Sequence, residues 1–524
     1  MKRIFLTLLI ILYISNDVYC IWPQPYSIST GTSTLNVNAN AFQIEFATSS
    51  CSSSVLTNAV NRYMPLLFPF SPKSSSSGLT TLEVNVANCS VPLAFGLDET
   101  YSLSVPMSGQ PTLKANTVWG AMHGLETFSQ LIEWNSASQR YVVYDAPLTI
   151  HDQPRFGWRG LMIDTARHYL SVDTILRAID AASYNKLNVL HWHTVDAQSF
   201  PIVVEAYPRL SGNGSWAPRA VYSHQDISKV VSYGHARGVR VIPEFDVPGH
   251  AYSWGDGYPE ITTDCPQYEH NINNIPLSPA SNLTLEVVRT VFSEMTKNPP
   301  LFTDDYFHIG GDEVVYGCWL NDPKVVQWMN SHGLQTGFDV YQYFEENFET
   351  ILSQLNKKLI VWQEVFIAGI QLPKDAIVQV WKNSDVLQSV INAGHQTVNS
   401  AGWYLDQQIP NPAQTYYEWV DTWKDFYSVD LTADLHGSPE QLALVLGGEA
   451  AMWGEQVDSV NFDSRVWPRA CGATERLWSP GSVTDITDAT QRMAKFRCSS
   501  LARRGIGAGP IQPDYCELPT SSKW

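Results

Sequence analysis

Residues Tyr306-Phe307-His308-Ile309-Gly310-Gly311-Asp312-Glu313 put two adjacent carboxylates behind a short apolar run and a pair of glycines. The apolar run reads as a strand, and the glycines let backbone or ligand come close where it ends. Two carboxylates crowded into one pocket cannot both ionise readily, so one of Asp312 and Glu313 is expected to keep its proton and act as a general acid. That is glycosidase-like chemistry. The structural alternative is a helix N-cap Asp followed by a first-turn Glu. Adjacency constrains the mechanism further, because neighbours on an extended chain point in different directions. The two groups therefore do not flank a scissile bond at the roughly 5 to 9 Å separation of two-carboxylate hydrolases. One must do another job, and a group on the substrate itself can then supply the nucleophile.

Other chemistry-bearing residues cluster in the same part of the chain. Trp362, Trp381, Trp403 and Trp453 fall at or just beyond the ends of successive apolar runs, where aromatic faces can stack on a sugar and enclose an acyl methyl. A core role for any of them is the alternative. His191 and His193 share one strand face and suggest a metal-dependent hydrolase, but no obvious set of further His ligands follows on later strands. Orientation of neighbouring acids is the reading preferred for these histidines, and no metal or other cofactor is expected.

The elements that must position these groups can be counted. Short apolar runs recur at 160–163, 187–192, 239–245, 306–309, 359–362, 377–380, 396–399 and 444–447, separated by helix-compatible stretches. This is the pattern of a closed (β/α)8 TIM barrel, in which active-site residues stand at the strand C-termini. Asp164 and Arg167, His193 and Asp196, Asp246 and His250, Glu364, Tyr404 and Asp406, and Glu455 all stand where strands would end. Before the barrel, residues 21–152 alternate with a strand period at Phe42, Ile44 and Phe46, at Leu82, Val84 and Val86, and at Tyr101, Leu103 and Val105. A helical face follows at Val118, Met122, Leu125 and Phe128. A small α+β N-terminal domain over 21–152 and a catalytic barrel with a C-terminal extension over 153–524 are the expected organisation, with serine-rich surface loops at 48–54 and 71–77.

The 524 residues are 44% apolar, 12% aromatic and 16% charged, which excludes a disordered chain. A net charge of −18 is a poor match to nucleic acid or anionic membrane surfaces. Lys2 and Arg3 precede the apolar run Ile4 to Leu12, so residues 1–20 read as a cleaved export signal. A lysosomal or secreted protein is expected. In an oxidising compartment the cysteines pair by proximity as Cys51 with Cys89, Cys265 with Cys318 and Cys498 with Cys516, leaving Cys471 free. Asn88, Asn213 and Asn282 are glycan acceptor sites if exposed.

The segments Trp158 to Tyr169, His191 to Asp196, Pro243 to His250, His308 to Glu313, Val361 to Val365, Trp403 to Asp406 and Gly447 to Glu455 strongly resemble β-N-acetylhexosaminidases of glycoside hydrolase family 20, nearest the eukaryotic lysosomal or secreted branch. The resemblance covers essentially the whole mature chain. It implies an exo-acting, retaining enzyme that removes terminal β-linked GlcNAc or GalNAc, with the substrate's own 2-acetamido oxygen as nucleophile. By motif it makes Glu313 the general acid and base, Asp312 the residue that orients the acetamido group, and Tyr404 its hydrogen-bond partner. Trp362, Trp381 and Trp453 would enclose the methyl and the ring, Arg159, Asp406 and Glu455 would bind ring hydroxyls, and Asp196 with His250 would form a supporting relay. The resemblance also suggests a possible homodimer. Ala197 and Gln407 depart from relatives that carry a second acid and an Arg there, and Gln407 favours neutral sugars. A catalytically silent carbohydrate-binding protein on the same scaffold is the alternative.

Overall fold

The computed structural model describes residues 21–73, 77–268, 270–297, 299–407 and 423–519. The export signal read at 1–20 lies outside them. Among the described residues no helix is long and apolar enough to cross a membrane.

Alternating burial along Thr81–Asn88 and Tyr101–Val105 puts every second side chain into a core shared with two helices, Ser54–Leu67 and Val118–Leu131. These strands belong to a seven-stranded mixed sheet that also holds Ser27–Val37, Gln43–Phe46, Thr112–Thr117, Glu133–Asn135 and Arg140–Asp152. Sequence periodicity does not reveal Ser27–Val37. Its Ser- and Thr-rich residues are mostly exposed or half-buried, and antiparallel pairing with Arg140–Asp152 holds it in place instead of a buried face. Periodicity also misses the helix Ser54–Leu67, whose N-cap Ser53 closes the serine-rich run read as a loop and accepts the amide of Val55 at 3.2 Å.

Eight parallel strands close into a barrel in the order of the chain: Trp158–Asp164, Val189–Val195, Arg240–Phe245, Tyr306–His308, Lys358–Trp362, Ile377–Val380, Gln396–Asn399 and Val445–Met452. They are called barrel strands 1 to 8 below. All eight runs read from the sequence are strands here, with ends displaced by a few residues. The interior is layered, as the period of two requires. At the N-terminal end of the strands Trp158, Val189, Ile242, Tyr306, Ile360 and Ile377 are among the apolar filling. At the C-terminal end Met162, Trp362, Ala451 and Trp453 pack with Trp381 and Tyr404. The layer between is charged.

The N-terminal sheet and the barrel meet through buried ion pairs. Lys186 lies 2.8 Å from Asp152, and Arg504 joins Glu126 at 2.7 Å. Arg159 grips Glu99 with two bonds, of 2.6 and 2.9 Å. Burial works against the Glu99 charge, but Arg159 and His123 bring its pKa down to about 2. The structure pairs Cys51 with Cys89, Cys265 with Cys318 and Cys498 with Cys516, and Cys471 is free and buried. Asn88, Asn213 and Asn282 are exposed.

Candidate active site

The loop after barrel strand 4 is built on its glycines. Gly310 and Gly311 have φ of 74° and 90°, and a Cβ on Gly310 would lie 2.0 Å from the Asp246 carboxylate. The chain can turn here only without side chains. Glu313 and His250 hold φ of 51° and 50°, which costs about 1–3 kcal/mol at a non-glycine residue. The turn buries Asp312, while the Glu313 side chain keeps 49% of its surface exposed. The Asp312 Oδ1 has no hydrogen-bond partner among the described residues. Burial, with Glu364, Glu244 and Glu313 nearby, pushes Asp312 up to about 7 against the pull of His250.

His250 links the two acids to the barrel. Its Nε2 lies 3.9 Å from Asp312 and 3.8 Å from Glu313, and its Nδ1 lies 3.1 Å from Asp196. Burial disfavours charge on His250, but Asp196 and Asp246 outweigh it and raise it to about 10. Asp196 also meets His193 at 2.8 Å and Arg167 at 2.8 Å. Across the mouth Trp381 stacks with Tyr404 at 5.8 Å, and Trp453 stands 6.0 Å from Trp362 and 6.5 Å from Tyr404. These rings form an aromatic cup within electrostatic reach of Asp312. Burial raises Asp406 to about 6 and moves Glu455 upward as well.

Two sequence readings are corrected. Arg159 does not reach the mouth. It is the second residue of barrel strand 1, fully buried, with its guanidinium spent on Glu99 and on the carbonyls of Lys186 and Phe156. Arg167, eight positions on, takes its place: it lies 3.0 Å from Asp164, 3.8 Å from Glu455 and over the Trp453 ring at 4.8 Å. Position along the strand was the signal, since function gathers at C-terminal ends. Trp403 is likewise no part of the rim. It is fully buried and donates its indole N–H to the Phe426 carbonyl.

Sequence reasoning gave no role to Lys382. Its Nζ lies 2.7 Å from Glu364, 3.9 Å from Glu313 and over the Trp381 ring at 4.5 Å. Glu364 also accepts the Trp381 indole N–H at 2.9 Å, so it braces the cup. The histidines have more neighbours than expected, since His308 stacks on His191 at 4.7 Å. Even so, both nitrogens of His191 and of His193 face carboxylate oxygens at 2.6–2.9 Å. His193 is hydrogen-bonded at both ring nitrogens and His191 at Nδ1.

The chain matches the model described as glycosyl hydrolase family 20, catalytic domain, over residues 156–481, and a beta-acetyl hexosaminidase like model over 21–131. It belongs to glycosyl hydrolase family 20. A Dictyostelium discoideum protein named beta-hexosaminidase subunit A1 is 43% identical, over 98% of this chain and 94% of that one. Mus musculus beta-hexosaminidase subunit alpha is 38% identical over 98% of both chains. Among solved structures, a Flavobacterium johnsoniae chitobiase superposes with a TM-score of 0.78 at 30% identity, covering 90% of this chain and 71% of that one.

The exchange of Arg159 for Arg167 can be tested directly. Arg159→Met removes the guanidinium that balances buried Glu99 and leaves it only His123 and Asn188, a change that costs up to about 3–5 kcal/mol. It should lower the thermal midpoint and leave kcat and KM of the folded enzyme near wild type. Arg167→Lys keeps the charge but loses the planar fork, and should raise KM about tenfold, equivalent to about 1.4 kcal/mol. A KM that rises with the first variant and not the second would reinstate Arg159.

Proposed function

We propose that this enzyme is an exo-acting, retaining β-N-acetylhexosaminidase that cleaves terminal β-linked N-acetylglucosamine and N-acetylgalactosamine with help from the substrate's acetamido group. The observation that carries the proposal is the division of labour between neighbours: Glu313 half-exposed at the mouth, Asp312 buried beside an aromatic cup with an acceptor oxygen unengaged. A buried acceptor of that kind suits an amide N–H, and the cup suits an acyl methyl.

In this reading the acetamido oxygen attacks the anomeric carbon while Glu313 gives its proton to the departing glycosidic oxygen. Asp312 accepts the amide N–H and balances the positive charge of the oxazolinium intermediate. Tyr404, which burial keeps protonated well above the ordinary phenol range, donates to the acetamido oxygen. Glu313 then takes a proton from water, which opens the intermediate with net retention. Trp362, Trp381 and Trp453 enclose the sugar, Arg167, Asp406 and Glu455 hold its hydroxyls, and His250 with Asp196 orients the acids. A silent lectin would need the cup alone; an acid, a buried carboxylate and a charged relay assembled beside it support catalysis. Gln407 favours neutral sugars. A lysosomal or secreted location and a homodimer complete the proposal, the latter supported by relatives named as subunits.

The test compares aryl β-glycosides of N-acetylglucosamine, N-acetylgalactosamine, 6-sulfated N-acetylglucosamine and glucose. Both unsulfated acetamido sugars should be hydrolysed and the sulfated one more slowly. The glucoside, lacking the internal nucleophile, should fall at least about 10³-fold. Comparable rates on the glucoside would end the substrate-assisted reading.

A further inference from the structure

The charged middle layer of the barrel is unusual, because branched apolar side chains normally fill that space. Here Glu449 on barrel strand 8, His191 and His193 on strand 2 and Glu244 on strand 3 all point inward, each at most 2% exposed. Their contacts run in one direction. Glu449 lies 2.9 Å from His191 Nδ1, His191 Nε2 lies 2.9 Å from Glu244, and Glu244 lies 2.6 Å from His193 Nδ1. His193 Nε2 continues to Asp196, and Asp196 to His250. Carboxylate and imidazole alternate throughout, ending 3.8 Å from Glu313.

We propose that Glu449, His191 and Glu244 are remote positioning residues, a buried charge chain that fixes the orientation and charge of His250 and acts through it on Glu313. The proposal rests on the reading of Glu313 as the acid. Hydrogen bonds join His191 Nδ1 to Glu449 and His193 Nδ1 to Glu244, while the middle link, from His191 Nε2 to Glu244, is an ion-pair contact without hydrogen-bond alignment. Glu449 also takes the Trp158 and Gln379 donors at 2.6 and 3.0 Å, and Glu244 takes the Trp362 indole at 2.7 Å, so the chain grips the floor of the cup as well. Burial resists charge on His191, yet Glu449 and Glu244 raise it to about 9; His193 is raised too, chiefly by Glu244. His308 borders the chain, its Nδ1 3.4 Å from Glu244. It accepts the Gly310 amide at Nδ1, and burial with His191 beside it lowers it to about 3. The other charged or titratable groups that face the chain are His308 at Glu244, Asp164 at His193, Arg167 at Asp196 and, at His250, Asp246, Asp312 and Glu313.

Glu449→Gln tests this, since Glu449 touches neither acid. Removing a negative charge lowers the proton affinity of every group coupled to it, so the pH profile of kcat/KM should move to lower pH. A shift of at least about half a unit, with kcat down about tenfold and KM within twofold, is expected. A folded variant with a lowered thermal midpoint and an unmoved profile would reduce the chain to a structural role. Should the variant fail to fold, ring-nitrogen resonances of histidine-labelled wild-type enzyme decide: His191 and His193 must be imidazolium at pH 6, and neutral rings overturn the proposal. If instead the acid reading is wrong, Glu313→Gln keeps its turnover whatever the rings report.

Discussion

Glu313→Gln should lower kcat on β-N-acetylglucosaminides with poor leaving groups by about 10²–10⁴-fold while KM stays within a few-fold. Glutamine matches glutamate in size and accepts hydrogen bonds, but it has no proton to give the leaving oxygen and cannot take one from water. Glu313 is the only candidate acid that the turn leaves half-exposed, so no neighbour among the described residues is placed to substitute: Asp312 is buried beside it, and Glu364 is held by Trp381 and Lys382. The loss should shrink as the leaving group improves, because a nitrophenolate departs without help. The checking measurement is kcat across a series of aryl and alkyl glycosides. Near-normal turnover on the alkyl members would remove Glu313 from the mechanism.

Asp312→Asn is the second large effect. Charge stabilisation aimed at a developing ion is worth about 10²–10³ in kcat when one interaction is removed, and burial should place Asp312 at the upper end. The pH behaviour has a definite sign. Burial first, then neighbouring carboxylates, bring Asp312 to about 7, so below that pH the free enzyme carries it protonated. A sugar whose amide N–H donates to Asp312 binds the ionised form better, so binding near pH 5 should release a proton. Calorimetric titrations in buffers of different ionisation enthalpy measure that release, and Asp312→Asn should abolish it. A wild-type enzyme that binds N-acetylated sugars with no proton exchange would disconnect Asp312 from the amide.

Much of this was legible in the chain. The eight apolar runs overlap the eight observed strands, because each strand turns apolar residues to the helices outside even where its inner face is charged. The acids, the aromatic residues and the histidines were visible by type and spacing, since function gathers where barrel strands end. The edge strand Ser27–Val37 was not, because pairing rather than burial holds it.

Residue type and order by themselves determined the barrel and the adjacent acids on which the proposed substrate nucleophile rests. Only the tertiary structure decided which arginine serves the mouth. Arg159 and Arg167 sit on one strand and its following loop, and their distance along the barrel axis, with Glu99 waiting at one end and Asp196 at the other, separates an interdomain clamp from a site residue. The same holds for Glu449 and Glu244, which lie in separate motifs and reach opposite sides of His191 only because closing the sheet brings strands 8, 2 and 3 around one core. A buried charge takes its role from the partner that balances it, and closure of the barrel selects that partner.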